Sequence, residues 1–166
     1  MAIYMQINGM NGNVTAKGHE QWIQLKSIDF NVQRNLSSEP GRLADRESTR
    51  PTVSQFTITK KMDQTTPLLF SESCVGQAKP EIKIDICQSG SQLTPYMQYT
   101  LSNVIVSGYQ VGTPETTPDQ AGSEYPVETV TLSFDKIEMK YTPFDEQNKP
   151  QSPIPAGYDL KQATAV

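Results

Sequence analysis

Hydrophobic and polar residues alternate with a period of two along most of this chain, and the rhythm becomes helical only once. Ile3, Met5 and Ile7 share one face of an opening strand. In the next strand, spanning about 21 to 33, Ile23 and Leu25 fall on odd positions but Ile28 and Phe30 on even ones. The same slip recurs twice: Leu101 gives way to Val104 and Val106, and Leu132 and Phe134 give way to Ile137 and Met139. A change of phase sends the second half of a strand to the other face unless a bulge or bend corrects it. Three long strands, each broken once near Lys26-Ser27, Ser102-Asn103 or Asp135-Lys136, predict a small closed β-barrel of antiparallel strands that bend at corners. A flat sandwich explains the pattern less well.

Between a strand around 53–59 and another at 81–88, residues 66–76 predict the single short α-helix. Thr66 suits the N-cap, Pro67 the first helical position and Gly76 the C-terminal stop. About two and a half turns are marginal in water on their own, so the helix must dock on a sheet. In that setting Cys74 reads as a small buried apolar residue, while Cys87 lies on the strand face opposite Ile82, Ile84 and Ile86. Lys60 and Lys61 read as a solvated strand end. By the same alternation Ile28, Phe30 and Val32 point into the barrel and Asp29, Asn31 and Gln33 point away.

Two stretches are poor in apolar residues. The extended loop 34–51 sets Arg34, Arg42, Arg46 and Arg50 among Glu39, Asp45 and Glu47, with only Leu36 and Leu43 to bury. A loop this long inside a compact domain is usually functional or disordered; its mixed charges favour an arm laid on a neighbouring subunit, against the plainer reading of a solvated loop. Residues 111–126 read as a connection between strands. The tail after Tyr141 carries Pro143, Pro150, Pro153 and Pro155, which argues against helix, with Tyr158 and Leu160 as candidate anchors.

The 166 residues suit one domain, 1–166, with an apolar share of 36%. That is thin for a thick private core and fits a barrel with wet faces or one that buries surface between subunits. A net charge of −4 gives no electrostatic case for nucleic acid. No apolar run is long enough to span a bilayer, so no membrane insertion is expected. The start, Met1-Ala2-Ile3-Tyr4-Met5-Gln6-Ile7, alternates as a strand and lacks the form of a signal peptide. Synthesis in the cytoplasm without a cleaved leader is the expectation.

Chemistry is sparse. His19 is the single histidine, and a Cys–His pair with Cys74 or Cys87 would need a third group to orient the imidazole. No nucleophile elbow, phosphate-cradling glycine loop or metal-ligand spacing is present, so neither an enzyme nor a cofactor is expected. The two cysteines allow a disulfide, but two reduced thiols is the preferred reading. Trp22 stands opposite Ile23 and Leu25, as a rim anchor or an interface residue.

The order Lys60-Lys61-Met62-Asp63, Thr65-Thr66-Pro67, Leu68-Leu69-Phe70, Cys74 and Gly76 resembles the tube protein of type VI secretion systems, the haemolysin-coregulated protein (Hcp) family. Gly18-His19-Glu20, the run Tyr99 to Ser107, and Glu128 to Phe134 followed by Ile137 and Tyr141 extend the resemblance in order over nearly the whole chain. It implies a homohexamer with a wide pore whose rings stack into a tube. That tube would sit inside a contractile sheath beneath a VgrG-like spike, carry small effector proteins and be expelled from the cell. On that basis Asp29, Asn31 and Gln33 become candidate pore-facing residues, and Arg34, Glu39, Arg42, Arg46, Arg50 and Trp22 candidate subunit or ring contacts. An added C-terminal enzymatic domain is not expected. A phage-like tail tube protein and a monomeric ligand-binding β-barrel are the alternative readings.

Overall fold

The computed structural model describes residues 1–36, 49–90, 93–113 and 125–166. Strand β1 (Ala2–Ile7) is followed by β2 (Ile23–Leu25), β3 (Ser27–Asp29), β4 (Val32–Gln33), β5 (Thr52–Val53) and β6 (Phe56–Lys61). Helix α1 (Thr66–Val75) leads into β7 (Lys79–Cys87), the long β8 (Pro95–Gly112), β9 (Val127–Ser133), β10 (Lys136–Tyr141), β11 (Ile154–Asp159) and β12 (Thr164–Ala165). One sheet runs in the order β12-β11-β10-β8-β7-β1-β2; a second runs β3-β6-β9-β8, and β4 pairs β5 as a separate ribbon. Every ladder is antiparallel.

The three changes of phase are the three corners where the chain crosses between sheets. Lys26 separates β2, paired with β1, from β3, paired with β6. Strand β8 pairs β7 and β10 through its first half and β9 through its second. Asn103 marks the bend at φ 52°, a left-handed conformation that asparagine tolerates. Phe134-Asp135 divides β9 from β10. With β2 and β3 as halves of one bent strand, the ladders β3-β6-β9-β8-β7-β1-β2 complete a circuit. The interior is filled by Met5, Ile7, Ile23, Phe56, Ile58, Ile82, Ile84, Leu101 and Leu132, all essentially closed to solvent. Phe30 stacks on Phe56 at 5.0 Å and Tyr99 meets both rings edge-on.

The helix docks on β8 through a single buried residue, Leu69. Its N-cap is Thr65 rather than Thr66, because Asp63 organises the entry: Asp63 Oδ1 accepts Thr65 N–H at 2.8 Å and Thr65 Oγ1 at 2.5 Å. Thr66 Oγ1 accepts Asp63 N–H at 3.1 Å. Gly76 closes the helix at φ 69°, its N–H donating to Glu72 O at 2.8 Å. Cys74 is exposed, contrary to expectation. A helix that buries one position turns a residue five places on by about 140° away from the contact. Both cysteines are free, and Cys87 is buried.

The tail is more regular than its prolines foretell. Strand β11 pairs β10 from Tyr141↔Ile154 to Lys136↔Asp159, and Pro155 is tolerated near the sheet's edge. Tyr158 and Leu160 pack against the core. Val32 departs from its expected inward placement and is 57% exposed. The pairing of β3 with β6 ends at Asp29, and Val32 belongs to the ribbon that has left the barrel wall.

Candidate interaction surfaces

The outer face of the second sheet is built from the polar half of the alternation. Ser27, Thr59, Thr129 and Gln110 form one cross-strand row; Asp29, Thr57, Thr131 and Gly108 form the next. Two contacts tie hydroxyls into this face. Ser27 Oγ and Thr59 Oγ1 lie 2.6 Å apart, and Ser107 Oγ donates to Thr131 O at 3.2 Å. Charge enters these strands' outer face only through Asp29 and, at the far end of β6, Lys61. Asn31 and Gln33 are exposed beyond it; Asn31 N–H donates to Ser54 Oγ at 2.8 Å.

The ribbon pairs Val32 with Val53 and Gln33 with Thr52, which brings together the two ends of the charged arm. Arg34 and Arg50 are exposed there, while Glu39, Arg42 and Arg46 lie outside the described residues. Beside the ribbon Phe30, Val32, Val53, Met139 and Tyr158 line a shallow apolar hollow. On α1, Leu68, Phe70 and Val75 are exposed, Phe70 edge-on to Tyr109 at 5.9 Å.

On the outer face of the first sheet, the loop after β1 folds back and buries a second, polar layer. Gly12 N–H donates to Gln21 O and Val14 N–H to Trp22 O. Half-buried Trp22 meets His19 edge-on at 4.7 Å, and Tyr4 lies on its other side at 5.0 Å. His19 Nε2 is 2.9 Å from Asp85 Oδ2 and 3.8 Å from Cys87 Sγ. Gln98 donates to the other Asp85 oxygen at 3.1 Å.

These three residue types could pass for a nucleophilic triad, but both partners address the same ring nitrogen. A relay needs the carboxylate on one nitrogen and the nucleophile on the other. Burial, reinforced by Asp85, pushes the Cys87 thiol up to about 11, so it stays protonated and weakly nucleophilic at neutral pH. Sequence reading missed Asp85; its place on the strand phase opposite the isoleucines was the available signal.

Under the start of α1 lies a buried ionic cluster where a solvated strand end was expected. Lys60 is fully buried and Lys61 exposed. Lys60 Nζ donates to Glu128 Oε2 at 2.6 Å, Asp63 Oδ1 at 2.9 Å and Lys61 O at 3.0 Å. The Tyr109 hydroxyl donates to Glu128 Oε1 at 2.6 Å. Burial and then Glu128 push that phenol up to about 12. The alternation of β6 turns Lys60 inward with Ile58 and Phe56, a consequence that charge alone had masked.

Known proteins share this architecture. The profile of a family described as type VI secretion system effector, Hcp, matches residues 4–141. The chain belongs to the Hcp family. Protein hcp1 of Pseudomonas aeruginosa is 28% identical to this Hcp chain over 112 residues, which is 66% of this chain and 65% of that protein's length. The crystal structure of Hcp1 from Salmonella typhimurium superposes with a TM-score of 0.78 at 22% identity, covering 99% of this chain and 98% of that one. A structure described as a type six secretion system protein reaches a TM-score of 0.90 at 23% identity over 99% of both chains. At such identities these structures speak for the shared fold. Among the described residues of this Hcp protein, no helix is long and apolar enough to cross a membrane.

Proposed function

We propose that this Hcp protein is a structural subunit of a type VI secretion tube. Copies close into a hexameric ring, rings stack, effectors travel in the pore, and tube and spike are driven outward by the sheath. The protein leaves the cell by that route and needs no cleaved leader. Its work is mechanical, not enzymatic.

The observation that carries this reading is the four-stranded second sheet with its hydroxyl-covered outer face. Among the described residues, the outer edges of its end strands, β3 and the second half of β8, carry no further strand, so they can continue a sheet from one copy into the next. Head-to-tail contacts of this kind close into a ring when the rotation permits. In such a ring Ser27, Asp29, Thr57, Thr59, Thr129 and Thr131 would line the pore, with Asn31 and Gln33 at its margin. Arg34, Arg50 and the arm between them, with Trp22, are proposed as contacts around the ring or between rings. A ligand-binding monomer is disfavoured because packed side chains fill the barrel.

Absolute mass by light scattering on a sizing column, across a range of salt, tests the reading. A hexamer supports it, and dissociation at high salt would assign the contact to the charged arm. A monomer at tens of micromolar would overturn the free-standing ring.

A further inference from the structure

Lys60 on β6 and Glu128 on β9 are direct register partners, and neither side chain has any exposed surface. The amine of Lys60 lies 2.6 Å from Glu128 Oε2 and 2.9 Å from Asp63 Oδ1. The other oxygen of Glu128 accepts the Tyr109 hydroxyl at 2.6 Å. Asp63 is itself pinned by Thr65 N–H at 2.8 Å and Thr65 Oγ1 at 2.5 Å. An amine and a carboxyl group closed to solvent thus meet a second, 13% exposed carboxylate and a half-buried phenol donor.

We propose that Lys60 and Glu128 condense into an isopeptide bond that cross-links β6 to β9. One proton of the Lys60 ammonium passes to Glu128 Oε2, leaving a free amine facing a neutral carboxyl group. The nitrogen then forms a bond to Glu128 Cδ. A second amine proton, relayed through Asp63 Oδ1, reaches Oε2, and the Cδ–Oε2 bond breaks to release water. The third proton stays on the new amide nitrogen. Oε1 becomes the amide oxygen and keeps its bond from Tyr109. No oxidant, metal or further reactant is required.

The fold supplies what the uncatalysed condensation lacks in water. The ladder holds amine and acid in contact, which converts a bimolecular step into an intramolecular one. Burial weakens the hydration that otherwise favours the separated ions. Tyr109 is already aimed at the oxygen that gathers negative charge as the nitrogen adds. Asp63 touches the same nitrogen, so a proton can move within the cluster without entering solvent. The product would tie together two neighbouring strands at the root of α1, and this inference stands or falls apart from ring formation.

Accurate mass of the intact, folded full-length chain tests it. The expected result is a mass below that of the sequence by one water. Digestion after denaturation should then yield one branched peptide joining the Lys60 and Glu128 segments, with no tryptic cut after Lys60. Lys60→Arg and Asp63→Asn chains that retain the fold should keep the full sequence mass. A wild-type chain at full sequence mass would overturn the proposal and leave an ordinary buried ion cluster. A water loss mapped to any other pair would overturn it as well. The wild-type measurement decides even if a variant fails to fold.

Discussion

His19 Nε2 and Asp85 Oδ2 meet at 2.9 Å across 66 residues of sequence, and their side chains are only 5% and 7% exposed. This contact fastens the loop between β1 and β2 to the outer face of the first sheet. Among the described residues His19 Nδ1 has no hydrogen-bond partner, so Asp85→Ala would leave the imidazole buried with no carboxylate to bond. The expected cost is about 2–3 kcal/mol in urea denaturation. Native thiol labelling supplies an independent readout. Wild type should take one label, at exposed Cys74, and Asp85→Ala two as the cover over Cys87 loosens. Equal labelling of both chains would show that the contact does not hold the loop.

Helix α1 rests on Leu69, and this gives a sharp contrast between neighbours. Leu69→Ala should cost about 2–5 kcal/mol, because it empties a fully buried position. Leu68→Ala, at a side chain 45% exposed, should change stability by no more than about 0.5 kcal/mol. Thermal unfolding of the two variants checks both values. Similar losses would mean that the helix is held by its ends and not by its packed side.

The corners of the barrel were legible in the sequence because each is a lost beat in a strict alternation. Ile23/Leu25 against Ile28/Phe30 is enough to locate Lys26 as a bend. The helix was legible from Pro67 and Gly76, whose backbone constraints are local. Lys60 and Cys74 were misplaced for one shared reason: residue type suggested burial or exposure more loudly than position did. Lys60 lies on the inward phase of β6, and its partner Glu128 is 68 residues away, beyond any local pattern. Cys74 depends on how little of α1 touches the sheet, which no periodicity states. Strand β11 was hidden by Pro153 just before it and Pro155 within it, since edge position, not composition, makes Pro155 acceptable. Asp29 reached the hydroxyl face by alternation alone; the rows that flank it became visible only with the register.

Gly12 and Gly9 should answer differently to the same substitution. A Cβ at Gly12 would lie 2.2 Å from Trp22 O, so Gly12→Ala forces the backbone of the His19 loop apart. A loss of about 3 kcal/mol or more is expected. Gly9 has φ +86° but open space around it, so Gly9→Ala should cost only about 1–2 kcal/mol of backbone strain. Chemical denaturation of both chains decides the matter. If Gly12→Ala proved the milder of the two, the close approach to Trp22 would not constrain the fold.

Asp135 should give one barrel corner a dependence on acid. Its carboxyl is held below the ordinary range first by the Asn103 side-chain amide and next by Lys161, 3.0 Å away. A carboxyl whose value is depressed in the fold stabilises above its unfolded value, and that stabilisation is lost as pH falls through the folded value. Asp135→Asn should therefore be less stable than wild type at neutral pH, and the difference should shrink as pH drops below about 4. Lys161 is 72% exposed, so molar salt should remove its share while leaving the bond from Asn103. Urea midpoints for the two chains between neutral pH and about pH 3 measure the gap. The absence of any gap, at neutral pH as in acid, would assign the corner's stability to the backbone bonds that both chains share: Asp135 N–H to Ser102 O at 3.1 Å and Leu160 N–H to Asp135 O at 2.8 Å.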